Sequence, residues 1–70
     1  MIGEKIRKLR KENQVTQEEL AAHLRVTYQA VSKWETGRSE PDILLLPQIA
    51  NFFHVSIDEL FEQDDSGERK

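Results

Sequence analysis

Residues 16–38, TQEELAAHLRVTYQAVSKWETGR, decide the fold. They read as two short amphipathic helices, with room for only a tight turn between Leu24 and Tyr28. Thr16 followed three residues later by Glu19 is a capping box, and Val15 before the cap pairs with Leu20 after it as a hydrophobic staple. Thr27 repeats the arrangement without the glutamate: Val26 precedes it, and Val31 takes the fourth helical position. Ser56 presents the full version again, with Val55, Glu59 and Leu60. Three helix starts are thereby specified locally, each cap contributing about 1 kcal/mol. Two helices joined as closely as 17–24 and 28–35 must cross at a steep angle.

The second of these helices has a face with no core to bury. At about 100° per residue, Ala30, Val31 and Trp34 fall on one side, while Tyr28, Gln29, Ser32 and Lys33 fall on the other. Gln, Ser and Lys at this spacing supply the donors and acceptors that read base edges in a DNA major groove. An ordinary solvated helix face has a similar composition. The steep helix pair, which is the geometry of a helix-turn-helix, favours groove reading.

Length and composition narrow the possibilities. Seventy residues make one small domain with a limited core. The absence of cysteine excludes a disulfide framework and a thiolate zinc site. His23 and His54 lie far apart on different elements, which suits surface or cap positions, so no metal, cofactor or small-molecule ligand is expected. No apolar run approaches the ~18 residues of a membrane span. The start, MIGEKIRKLRKEN, is amphipathic and lacks the apolar core of a signal peptide, so a cytoplasmic chain is expected. The net charge of −3 is unevenly spread. Residues 1–38 hold eight basic and five acidic side chains, a balance of +3, and residues 39–70 hold two and eight, a balance of −6. Such a molecule turns its basic half toward phosphates.

The remaining elements follow from periodicity and punctuation. A first helix is predicted over 2–13, burying Ile2, Ile6 and Leu9 with Lys5, Lys8 and Lys11 outward. The helix over 17–24 buries Leu20, Ala21 and Leu24. Gly37 ends the helix over 28–35 in a left-handed conformation. Asp42 is placed to cap a short 3₁₀ piece from Ile43. Pro47 suits the first turn of a fourth helix from Leu46 or Pro47 to Phe53, burying Leu46, Ile49, Ala50 and Phe53. A fifth helix after Ser56 is predicted to bury Ile57, Leu60 and Phe61. The segment 62–70, EQDDSGERK, has no apolar residue and is expected to be a disordered polar tail. With no internal repeat and no strand signal, the expected fold is an all-α, compact five-helix bundle over residues 1–61.

IGEKIRKLRKEN, TQEELA, V-T-x-x-x-V-S-K-W-E-x-G, and EPD followed by VSIDEL together resemble the phage Cro and repressor (XRE-like) type of helix-turn-helix DNA-binding domain, over nearly the whole of residues 2–61. The resemblance implies a lambda-repressor-like fold with Tyr28, Gln29, Ser32 and Lys33 reading bases. In that reading Gln29 pairs with adenine, and Lys33 donates to guanine O6 and N7. It implies phosphate contacts by Gln17 at the start of the second helix, by Thr27, and by Arg38 together with backbone amides near it. Such contacts position the protein without carrying sequence information. It also implies a partly buried salt bridge between Arg10 and Glu35, with Arg10 serving structure first and a phosphate second. Trp34 is assigned to the core rather than to base stacking.

Two positions depart from the family pattern. Arg25 stands where the turn usually carries glycine, and His54 where the cap before VSIDEL carries glycine or asparagine. A left-handed backbone at either costs on the order of 1 kcal/mol relative to glycine. Arg25 also adds positive charge on the expected DNA side.

A sequence-specific double-stranded DNA-binding transcriptional regulator, expected to be a repressor and to act as a homodimer on an inverted-repeat operator, is the function these residues favour. Ile43, Leu44, Phe52 and the end of the fifth helix are available either for a dimer patch or for the core. An antitoxin or controller-type protein-interaction module, with DNA binding secondary, is the alternative. An enzyme is disfavoured: no nucleophile–base pair, metal cluster or phosphate loop is present in the sequence.

Overall fold

The computed structural model describes residues 2–62. Its elements are α1 (Ile2–Glu12), α2 (Gln17–Leu24), α3 (Tyr28–Glu35), a 3₁₀ turn (Ile43–Leu45), α4 (Leu46–Phe53) and α5 (Ile57–Leu60). The described residues are all-helical, as expected, and α1 ends one residue earlier than the sequence suggests. The expected tail at 62–70 lies, beyond Glu62, outside the described residues.

Each helix sends one fully buried side chain to a common core: Ile6, Leu20, Val31, Ile49 and Leu60. Three of them, Leu20, Val31 and Leu60, are the fourth helical residues after the Thr16, Thr27 and Ser56 caps. The local signal that starts a helix therefore also aims a residue at the centre. Ile2, Leu9, Ala21, Leu24, Trp34, Leu46, Ala50 and Phe53 complete the core, and Val15, Val26 and Val55 pack against it from the helix entries. Trp34 is 5% exposed, which settles its place in the core.

The joints before α2, α3 and α5 share one backbone design. Gln14, Arg25 and His54 have φ of 58°, 62° and 60°, each one residue before a valine and two before a Thr or Ser cap. At the first joint the Gln14 N–H donates to Lys11 O and the Val15 N–H to Arg10 O. The second repeats this, Arg25 N–H to Ala22 O and Val26 N–H to Ala21 O; the third does so with His54 N–H to Asn51 O and Val55 N–H to Ala50 O. These are Schellman closures, in which a left-handed residue lets two amides satisfy the last carbonyls of a helix. The apolar C″ residue then packs on the core. The joints form a repeat of local structure where the sequence shows no extended repeat. Arg25 and His54 take the left-handed backbone, and Gln14, a residue type that gives no sign of it in the sequence, does so as well.

The caps follow the sequence closely. Thr16 Oγ1 accepts from the Glu19 N–H at 3.0 Å, and the Glu19 carboxylate accepts from the Thr16 N–H at 2.8 Å, a complete capping box. Ser56 Oγ accepts from the Glu59 N–H at 3.1 Å, without the reciprocal bond seen at Thr16. Asp42 Oδ1 accepts from the Leu44 N–H, and Pro47 sits in the first turn of α4.

Two burial expectations are corrected. Ile57 and Phe61 are 41% and 57% exposed. A helix of four residues has one position facing the centre, which Leu60 takes; Phe61 lies past the helix end and turns outward. Ile43 and Leu44 are also exposed, at 74% and 77%, whereas Phe52 belongs to the packed side. Its ring lies 4.6 Å from His23 and 4.9 Å from Phe53 between centroids.

Candidate nucleic-acid interface

The inner face of α3 is held by α1 in two ways. Gly3 lies so close to the end of α3 that a Cβ built there would stand 1.8 Å from the Trp34 carbonyl oxygen. Only glycine permits that approach; its requirement is invisible in the sequence, where Gly3 looks like an ordinary helix-start residue. The second link is polar. Arg10 Nε donates to Glu35 Oε2 at 2.7 Å, and Nη2 donates to Oε1 at 3.0 Å. This is the two-pronged geometry that a planar guanidinium makes and an ammonium does not. Arg10 Nη1 donates to the Val15 carbonyl at 2.9 Å. The hydrogen bond to Glu35, working against desolvation, raises the Arg10 pKa above its ordinary value, so the guanidinium stays charged at any working pH.

Gln17 joins the same network. Its Nε2 donates to Glu35 Oε1 at 3.1 Å, so one carboxylate ties together α1, the first residue of α2 and the last residue of α3. The sequence indicates the Arg10–Glu35 pair through family resemblance; it gives no sign of the third member. Gln17 retains a second amide N–H for a partner outside the domain. Arg10 is engaged through all three guanidinium nitrogens, which places it in the structural role.

The outer face of α3 is open. Tyr28, Gln29 and Lys33 are exposed and Ser32 is half-buried; their side chains form no hydrogen bond or ion pair with other described residues. Thr27 Oγ1 accepts from the Ala30 N–H at 3.2 Å as the α3 cap, leaving its own hydroxyl proton free. Arg25 lies exposed in the turn between α2 and α3, and Arg38 lies exposed just past α3. One expectation changes at Arg38. The Gly37, Arg38 and Ser39 amides already donate to Trp34 O, Lys33 O and Lys33 O, because Gly37, at φ 80°, closes α3 with a fourth Schellman turn. The basic side chain of Arg38 is what remains to offer a phosphate there. Polar groups suited to bases thus occupy α3, and groups suited to phosphates occupy α2, the turn and the segment after α3.

Among the described residues no group of His, Cys, Asp and Glu is arranged to hold a metal ion, and no helix is long and apolar enough to cross a membrane.

Comparison with known proteins agrees with this geometry. A helix-turn-helix family model matches residues 6–60. Over 63 residues, 90% of its length, the chain is 44% identical to the HTH-type transcriptional activator BcrR of Enterococcus faecalis, covering 31% of that protein. It is 36% identical over 62 residues to the SPbeta prophage-derived, uncharacterized HTH-type transcriptional regulator YonR of Bacillus subtilis, covering 89% of this chain and 57% of YonR. A crystal structure of a transcriptional regulator from Listeria innocua superposes with a TM-score of 0.82 at 31% identity, over 97% of this chain and 65% of that one. In each case the chain spans less than two thirds of the relative's length.

Proposed function

The chain belongs to the helix-turn-helix family, and from that premise we propose that it is a non-enzymatic, cytoplasmic transcriptional regulator binding double-stranded DNA sequence-specifically. The observation that carries the reading is the open face of α3. It presents Tyr28, Gln29, Ser32 and Lys33 outward while Val31, Trp34 and Glu35 are buried on the inner side. A helix locked from behind and unoccupied in front is a rigid reading head. α3 lies in the major groove, with Gln29 toward adenine and Lys33 toward guanine. Gln17, Thr27, Arg25 and Arg38 meet flanking phosphates and fix the register.

The chain acts as a homodimer on an inverted repeat, one α3 per half-site about one helical turn apart. A single domain of this size offers a small footprint for a specific complex, and the exposed Ile43, Leu44, Ile57 and Phe61 supply apolar surface for self-association.

Selection of bound sequences from random duplexes, followed by affinity against salt, tests the proposal. Recovery of an inverted repeat with half-sites one turn apart supports it. Weak binding without sequence preference would instead favour the partner-dependent antitoxin or controller reading, in which the apolar surface meets another protein.

A further inference from the structure

α1 carries more positive charge than the proposed contacts use. Arg10 is committed to Glu35 and Val15, and Lys8 is paired with Glu12 at 3.4 Å. Arg7 and Lys11 are different. Both are exposed, they stand one turn apart on α1, and their side chains form no ion pair or hydrogen bond with a described residue. With Arg10, Gln17, Glu35 and Thr36 they line one shallow groove between α1, the start of α2 and the end of α3. The Glu35 charge is neutralised there by Arg10, so the field of the groove is set by Arg7 and Lys11.

We propose that Arg7 and Lys11 hold the DNA backbone on the Gln17 side of the interface, extending the phosphate contacts from α2 onto α1. The inference rests on the reading that the chain binds duplex DNA. It follows from position: Gln17, the side chain with a spare N–H for a phosphate, borders the same groove as both cations. Residues four apart on a helix are separated by about 6 Å of rise. Two long, flexible cationic side chains at that separation reach neighbouring phosphates, which recur every ~3.4 Å of duplex axis on each strand. Arg10 cannot take this role without giving up Glu35, and the unpaired cations on either side of it can. Glu18 borders the surface beside Lys11 and Gln17 and weakens the field there, so Arg7 carries the larger share. Because these groups meet phosphates and not base edges, they add affinity without sequence preference.

The test uses the full chain and fluorescence anisotropy with two labelled duplexes, one of random sequence and one from the selection above, across a salt series. Arg7→Gln with Lys11→Gln is expected to make the slope of log affinity against log salt shallower by about 1.8, at ~0.9 per phosphate contact, and to leave the ratio between the two duplexes unchanged. The single variants divide that change, Arg7→Gln taking the larger part. Lys8→Gln removes the same charge from the same helix and is expected to change the slope by less than a third as much. Thermal unfolding of each variant verifies that the fold is retained. An unchanged slope in the double variant overturns the inference, as does an equal change in Lys8→Gln, which would show diffuse screening. A parent chain that binds neither duplex overturns this inference together with the proposed function; binding with an unaltered slope overturns this inference alone.

Discussion

The two faces of α3 are built in opposite ways from eight residues. The inner face is over-determined: Val31 and Trp34 are core, Gly3 admits the Trp34 carbonyl at close range, and Glu35 receives three hydrogen bonds from Arg10 and Gln17. The outer face, with Tyr28, Gln29, Ser32 and Lys33, has no structural obligation within the described residues. Under the proposed function, positioning and recognition fall to separate residues of one helix. Changes on the inner side should lower stability, and changes on the outer side should lower DNA affinity alone.

The largest effect is expected at Gly3. Gly3→Ala places a methyl against backbone that cannot rotate away, and should cost about 3–4 kcal/mol. Chemical denaturation should show it as a large drop in midpoint. A near-neutral result would mean that α1 can slide on α3, and that the inner face is less fixed than its geometry indicates. Glu35→Gln comes next. It leaves the Arg10 guanidinium without its counter-charge in a site where Arg10 is 12% exposed. A loss of about 3 kcal/mol is expected, or roughly 12–24 °C in melting temperature. Circular dichroism melting measures it directly, and a loss of only a degree or two would remove the polar link from the argument.

Gln29→Ala and Lys33→Ala should each weaken binding to a selected operator by about 1–3 kcal/mol. Their stability should stay within about 0.5 kcal/mol of the parent, since neither side chain has a hydrogen-bond or ion-pair partner among the described residues. Anisotropy titrations beside melting curves separate the two quantities, and a matching loss of stability would break the division between faces. The smallest effect is expected at Arg25→Gly. Relief of a left-handed arginine, worth ~1–2 kcal/mol, is partly offset by the extra freedom of glycine in the unfolded chain, ~0.5–1 kcal/mol. A rise of a few degrees in melting temperature should accompany unchanged or weaker DNA binding. A fall would count against strain at this joint.

The helices and the open face of α3 were legible in the sequence because their causes are local. A Thr or Ser cap, a valine before it and an apolar residue four after it specify both the start of a helix and the side it buries. The left-handed backbone at Arg25 and His54 was indicated by comparison with the family pattern, since neither residue type announces it. Gln14 gave no such cue. What the sequence concealed is contact between distant segments: the approach of Gly3 to Trp34, the bond from Gln17 to Glu35, and the consumption of the amides after Gly37. Ile57 and Phe61 are exposed despite their apolar side chains for a related reason. Apolar identity favours burial, but a one-turn helix has a single inward position.

The meeting of Ile6, Leu20, Val31, Ile49 and Leu60 has a kinetic consequence. Because each helix contributes one of the most buried side chains, no helix can leave without opening the centre for the other four. Deep amides in all five should then exchange with solvent at a common rate set by global unfolding, and folding from such local elements should be fast and without a populated intermediate. α3 and the segment that closes α5 would form and dissolve in the same event.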